Sequence, residues 1–272
     1  MLTKKLHIFF MLMLCLLGII FVQTKIPRHI WTYWDSDTIS NPVVLGCIES
    51  WRQYNPTYTI HVLGPKEATR LLGFNVKTMK MNDGPARESD IVRLNILQKY
   101  GGVWLDSSIL LKAPLYFPGW YDFYGYNLKS FISKPDIPVV ESWCFATVPH
   151  GQFITEWRNE FMKAELFNSF KDALEDMKKQ GVLYDGIKGP EYLYIHVCAQ
   201  KILQKEPSIL RSMYFYIAED TAYLYLTQNN WDVKKSLESI CKGTVSPLIK
   251  FRSRERKYLE EHMELFKCIQ RI

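Results

Sequence analysis

Six cysteines stand far apart, at positions 15, 47, 144, 198, 241 and 268, with no Cys-x-x-Cys pair and no His/Cys cluster at zinc spacing. That argues against a structural zinc site and a dithiol redox motif, and leaves buried thiols with room for one disulfide. The chain also lacks low-complexity runs and internal repeats, and 47% hydrophobic and 14% aromatic residues exclude a disordered or fibrous chain. Nothing in it resembles a nucleic-acid-binding motif, although the net charge is +6. The basic residues Arg252, Arg254, Arg256 and Lys257 alternate with Glu255, Glu260, Glu261 and Glu264. That pattern suits a solvated helix face, or alternatively a surface drawn to an anionic membrane or substrate.

One long apolar run is present, at residues 6–22, interrupted only by His7 and flanked by Lys4-Lys5 and Gln23-Thr24-Lys25. It is long for the apolar part of a cleaved signal peptide, at the low end for a membrane span, and no small-x-small cleavage pattern follows it. The expected organisation is an N-terminal membrane signal anchor over 1–25 and one globular domain over 26–272. Location at a membrane follows, on the lumenal side of the ER or Golgi in a eukaryote, or at the plasma membrane in a bacterium. Lysines on both sides leave the orientation open.

From Ile26 the pattern alternates. A strand is expected at 28–34, a helix at 43–55, a strand at 58–63 and a short helix reaching Leu72. DGPARESDIVRLNILQKYGG then specifies a helix with Asp83 as cap, Ile91, Leu94, Leu97 and Tyr100 as its apolar stripe, and Gly101 as its stop. A strand, GVWLDSSILL, follows at once. Such alternation points to βαβ units and a mostly parallel sheet. Residues 114–140 are aromatic and irregular. Further expected elements are a strand at 142–148, helices at 150–180 and 190–204, a short strand FYIA, and a charged helix from about 253.

GGVWLDSSI raises the functional question, because an apolar strand ends abruptly on Asp106, Ser107 and Ser108. Strand alternation sends Asp106 and Ser108 to one side and Ser107 to the other. At the carboxyl end of a strand in an open α/β sheet, that side is where ligands bind. Asp90 and Arg93, three apart on the preceding helix, share a face that the Gly-Gly turn can bring toward Asp106. Taken alone, such a pair also reads as a surface ion pair.

ARESDIVRLNILQKYGGVWLDSSI resembles the core signature of glycosyltransferases of the DxD sugar-binding type, the group of Och1-like mannosyltransferases, capsular polysaccharide synthesis proteins and glucosylating clostridial toxins. IPRHIWTYW, and SWRQYNP after it, resemble the opening strand and Trp-x-x-x-Asn-Pro of the same group. The likeness spans residues 26–115. It implies a GT-A-like α/β fold with added C-terminal helices, a UDP- or GDP-sugar donor, and transfer to an acceptor hydroxyl of a glycan or polysaccharide, usually with retention.

By the same resemblance Trp31, with Thr32 beside it, meets the nucleotide base, although a core tryptophan fits an apolar strand equally. Asp90 holds the ribose, Arg93 reaches the sugar or diphosphate, and Trp104 lies beside the nucleotide. Asp106 and Ser108 take the metal-ligand positions for Mn²⁺ or Mg²⁺, and Asp106 with Arg93 carries the chemistry. Ser108 departs from the pattern, which has a second aspartate there; the departure points to the capsular branch and weakens metal binding. Glu141-Ser142 falls near the donor sugar or caps a strand. Tyr184-Asp185-Gly186 suggests an acceptor-side loop, and His196 reads more as a core residue than a ligand. Competing readings are a catalytically silent nucleotide-sugar or glycan-binding protein and a scaffold without ligand.

Overall fold

A computed structural model describes residues 26–118, 120–243 and 246–272. The expected anchor at 1–25 lies outside the described residues. No helix among those described is long and apolar enough to cross a membrane.

Among the described residues, eight strands form two sheets. They are β1 His29–Tyr33, β2 Thr59–Leu63, β3 Gly102–Leu105, β4 Ile109–Leu111, β5 Phe123–Asn127, β6 Val140–Thr147, β7 Met213–Ile217 and β8 Leu248–Lys250. Six make the main sheet in the order β2-β1-β3-β6-β5-β7, while β4 and β8 pair alone. In the main sheet the β1–β2, β1–β3 and β5–β7 pairings are parallel and, among the described strands, β6 runs against both its neighbours; β4 and β8 are antiparallel. The mostly parallel α/β architecture expected from the alternation is therefore present.

Among the described residues the α-helices are α1 Pro42–Tyr54, α2 Pro65–Leu72, α3 Pro85–Tyr100, α4 Gln152–Met162, α5 Phe170–Lys179, α6 Tyr194–Lys205, α7 Leu224–Thr227, α8 Val233–Cys241, α9 Ser253–Glu261 and α10 Met263–Arg271. The single helix expected at 150–180 is two, because a 3₁₀ turn and Ser169, whose hydroxyl caps α5, come between them. The final helix likewise breaks at His262. Cys241 and Cys268 form a disulfide linking α8 to α10, and Cys47, Cys144 and Cys198 are buried free thiols.

Strand alternation builds a core on each face of the main sheet. Trp31, Trp104 and Phe145 enter one, with α3, α4 and α6; Ile30, Val103, Leu105 and Cys144 enter the other, with α1, α8 and α10. Helix α3 is buried on nearly every side, including Arg87, Glu88, Asp90 and Arg93. A helix buried all round that carries charge needs partners for that charge, and the partners lie at the site.

GVWLDSSILL is not one strand. It leaves the main sheet after Leu105, turns through residues 106–108, with Ile109 N–H donating to the Asp106 carbonyl at 3.0 Å, and re-enters the second sheet as β4. Helix α1 pins that departure: Trp51 Nε1 donates to the Ile109 carbonyl at 2.7 Å, and Leu111 N–H donates to Ser50 Oγ at 2.9 Å.

The α3–β3 join requires glycine. Gly101 and Gly102 have φ of 63° and 97°, and a β-carbon on Gly102 would stand 2.6 Å from the His29 carbonyl oxygen of β1. Gly102→Ala should cost at least about 2 kcal/mol, combining a strained φ with forced separation of β1 and β3. Urea denaturation followed by circular dichroism measures it; a loss under about 0.5 kcal/mol would mean that β1 and β3 are not held this closely.

Candidate active site

Where β1 and β3 end, a cavity of about 850 Å³ opens between α3, the 106–108 turn and the C-terminal segment. Its walls include Asp90, Arg93, Asp106, Ser107, Ser108, Glu141, Ser142 and His196, and also Tyr33, Trp34, Lys250, Arg252 and Arg256. The Asp90–Arg93–Asp106 convergence expected from the helix face and the Gly-Gly turn is present. Arg93 Nη2 lies 3.5 Å from Asp90 Oδ1 and 3.3 Å from Asp106 Oδ1.

Arg93 is held on every side. Its Nη1 donates to the Ser142 carbonyl at 2.6 Å and to Ser142 Oγ at 2.9 Å, and its Nη2 donates to Ser89 Oγ at 2.9 Å. The guanidinium plane also sits 5.1 Å over the Trp104 ring. Such a fork fixes the charge in place while leaving it at the cavity wall. Asp90 bridges Arg93 to Arg87, whose Nη1 is 3.2 Å from Asp90 Oδ2. Burial raises the Asp90 pKa against the pull of those two guanidinium groups.

Asp106 takes two hydrogen bonds and a further ion pair from three parts of the chain. Trp104 Nε1 reaches Oδ1 at 3.0 Å, Arg93 lies against the same oxygen, and Lys250 Nζ reaches Oδ2 at 2.7 Å. Burial alone would raise its pKa, but Lys250 and Arg93 outweigh that and hold the carboxyl below its ordinary value. Asp106 is thus an ionised anchor at neutral pH.

Several expected roles fall differently. Trp31 is a core residue: it stacks on His61 at 3.8 Å, donates to the Gly101 carbonyl at 3.0 Å, and does not line the cavity. The reason is direction: Trp31 is the middle residue of β1 and its indole turns back to the Gly101 carbonyl at the start of β3, whereas the cavity lies past the carboxyl end of β1, where Tyr33 and Trp34 stand instead. Thr32 is fully buried away from the cavity, with its hydroxyl unpartnered. Trp104 is also fully buried and acts through its bond to Asp106. Ser107 lines the cavity together with Asp106 and Ser108, because alternation stops at Leu105 and a turn follows.

Glu141 and His196, on β6 and α6, face each other in the cavity with His196 Nε2 at 3.7 Å from Glu141 Oε2, and His196 Nδ1 has no hydrogen-bond partner among the described residues. The histidine is buried, as expected of a core residue, yet it also lines the site. Tyr184-Asp185-Gly186 does not line the cavity; Tyr192 and Leu193 beyond it do. The basic C-terminal segment divides, with Arg252 and Arg256 at the cavity and Arg254 and Lys257 exposed to solvent.

Mn²⁺ or Mg²⁺ at Asp106 and Ser108 does not fit these side chains. Ser108 Oγ donates to the Phe251 carbonyl at 2.8 Å and accepts from Lys250 Nζ at 3.2 Å, the same ammonium that Asp106 holds. The two expected ligands converge, but on Lys250. A hard divalent ion needs about six oxygens at roughly 2.0–2.6 Å, and among the described residues no three His, Cys, Asp or Glu side chains gather as metal ligands. Lys250 carried no local signal in the sequence beyond being a charge that ends the apolar run PLIK.

A family model described as "Capsular polysaccharide synthesis protein" matches residues 21–246. The chain is similar to "O-glycosyltransferase braB" of Annulohypoxylon truncatum, 27% identical over 169 residues, covering 52% of this chain and 39% of that protein. It is also similar to "Glycosyltransferase afumC" of Aspergillus fumigatus, 31% identical over 99 residues, covering 31% of this chain and 25% of that protein. The chain therefore spans well under half the length of these curated relatives. The crystal structure of the UDP-bound glycosyltransferase domain from the YGT toxin aligns over 92% of this chain and 98% of its own, at 11% identity and a TM-score of 0.46.

The Asp106–Lys250 pair is mostly buried, so removing one partner strands the other. Lys250→Met should destabilise the protein by roughly 2–3 kcal/mol, less than total loss of a buried pair because Arg93 remains. Combined with Asp106→Asn, the loss should fall short of the sum of the two single losses by about 1–2 kcal/mol. Urea denaturation of the four proteins checks it; additive losses would mean that the two side chains do not meet.

Proposed function

Because the chain belongs to the capsular polysaccharide synthesis protein family, whose model matches most of its length, we propose that it is a retaining glycosyltransferase moving a hexose from a UDP- or GDP-sugar to a hydroxyl of a glycan or polysaccharide. The observation that carries this reading is the ionised Asp106 beside Arg93 and Asp90 in a cavity at the carboxyl ends of two parallel strands. Ligands bind at that edge of an α/β sheet. Curated relatives of part of the chain are named as glycosyltransferases, which supports the same class.

In this reading the nucleotide base lies against Tyr33 and Trp34, which take the role the resemblance assigned to Trp31, and Asp90 holds the ribose. The diphosphate faces Arg93, Lys250, Arg252 and Arg256. Breaking the anomeric bond develops positive charge on the sugar ring and negative charge on the departing phosphate. Fixed cations at the cavity wall oppose that negative charge as it grows and so favour the transition state over the ground state. With retention, the acceptor hydroxyl approaches on the face the phosphate leaves, and the phosphate takes its proton. No side-chain base is then required.

A panel of nucleotide sugars tests the class through slow donor hydrolysis. Hydrolysis of one donor supports the transferase; binding of a donor without turnover supports the silent binding protein; neither leaves a scaffold. Asp106→Asn should lower turnover by at least about two orders of magnitude, because it unsettles both Arg93 and Lys250. The assay is donor hydrolysis with circular dichroism as the folding control, and near-normal activity would remove Asp106 from the reaction.

A further inference from the structure

Lys250 answers why Ser108 stands where the pattern has an aspartate. Two carboxylates around a divalent ion balance in charge, and one carboxylate around an ammonium balances equally. Among residues 106, 108 and 250 alone, an aspartate at 108 would leave the carboxylates in excess of the ammonium beside a diphosphate; with serine these three balance, and Arg93 against Asp106 leaves the wall net positive. The serine is also turned to suit the lysine. Its proton is committed to the Phe251 carbonyl at 2.8 Å, which leaves an oxygen lone pair for Lys250 Nζ at 3.2 Å.

The register secures this geometry. Lys250 lies opposite Ile109 in the β4–β8 ladder, and Phe251 N–H donates to the Ser108 carbonyl at 3.1 Å, so the lysine is threaded beside the turn by backbone bonds on both sides. Its side chain is 10% exposed, enough to reach the cavity and too little to wander. Of the three N–H donors of the ammonium, Asp106 and Ser108 take two among the described residues. Lys250 also lies past the matched span, which ends at 246.

Resting on the reading of the cavity as a nucleotide-sugar site, we infer that Lys250 is a built-in cation standing in the position of a divalent metal, so that nucleoside diphosphates bind and sugars transfer without one. In the transfer the bond from the anomeric carbon to the β-phosphate oxygen breaks with its electron pair on the phosphate. The acceptor oxygen bonds to the anomeric carbon, and its proton passes to the departing phosphate. Lys250 remains an ammonium throughout and donates its third N–H to a diphosphate oxygen.

The test titrates UDP and GDP, with uridine and guanosine as uncharged controls, into the full chain by calorimetry in excess EDTA and in excess Mn²⁺. Wild-type affinity for the diphosphate it binds should differ by less than about threefold between the two conditions, since the cation is covalent to the chain. Lys250→Gln should weaken diphosphate binding by at least about thirtyfold, and leave the matching nucleoside unchanged, as loss of a charge-assisted contact requires. Lys250→Ala, which frees Asp106 and Ser108, should regain at least about tenfold in diphosphate affinity on adding Mn²⁺.

A wild-type affinity that collapses in EDTA would overturn the inference and leave the transferase reading standing. So would a folded Lys250→Gln that binds diphosphate normally. Should the glutamine variant fail to fold, the EDTA comparison on the wild type still decides. If no nucleoside diphosphate binds under either condition, the nucleotide-sugar reading itself falls.

Discussion

One carboxylate holds the working end of this protein together. Asp106 receives Arg93 from α3, Trp104 from β3 and Lys250 from β8, so that a helix, the strand after it and a strand near the other end of the chain meet at one side chain. Each of the two cations is nearly buried, and a buried charge left unpaired is far costlier than a surface one. The cavity therefore exists in this form only when the C-terminal segment has returned to the 106–108 turn. Fold and site share that closure.

The turn itself arises from a conflict between two cores. Val103 and Leu105 belong to the core under α1, Trp104 to the core under α3, and the strand can serve both only while it stays in the main sheet. At Asp106 it leaves. Residues 106–108 give up strand alternation and present three polar side chains to the same space, while β4 is captured by Trp51, Ser50 and β8. A strand continuing straight through would have shown only Asp106 and Ser108 on that side and would have left Lys250 without a seat.

What was legible in the sequence follows the range of the interactions. β1, α1, β2 and α3 were legible because apolar periodicity and glycine stops are local signals. The Asp90–Arg93–Asp106 convergence was legible because a helix face and a two-glycine turn lie within one short stretch. The place of Trp31 was not, since its residue type suits both a core and a base-stacking site and only the position of the cavity along β1 decides. Strand β5 hid in an aromatic stretch without alternation, and the side-chain direction of Ser107 depended on where a strand ended. Lys250 was the least legible, as its partner stands more than half the chain away.

That distance changes what the C-terminal segment is for. Arg252 and Arg256 flank Lys250, and each is itself steadied by a carboxylate, Arg252 by the fully buried Glu255 at 2.7 Å and Arg256 by Glu260 at 3.4 Å. Glu255 also accepts the Arg252 backbone N–H at 2.9 Å, capping α9 while it aims the guanidinium. Behind them α10 is tied to α8 by the Cys241–Cys268 disulfide and packs Phe266 and Ile269 into the core under α1. The helices after β8 thus bear on the position of three cations at the cavity. A segment that reads in sequence as a charged tail is a cationic wall of the cavity, and its glutamates hold two of the arginines there by ion pairs.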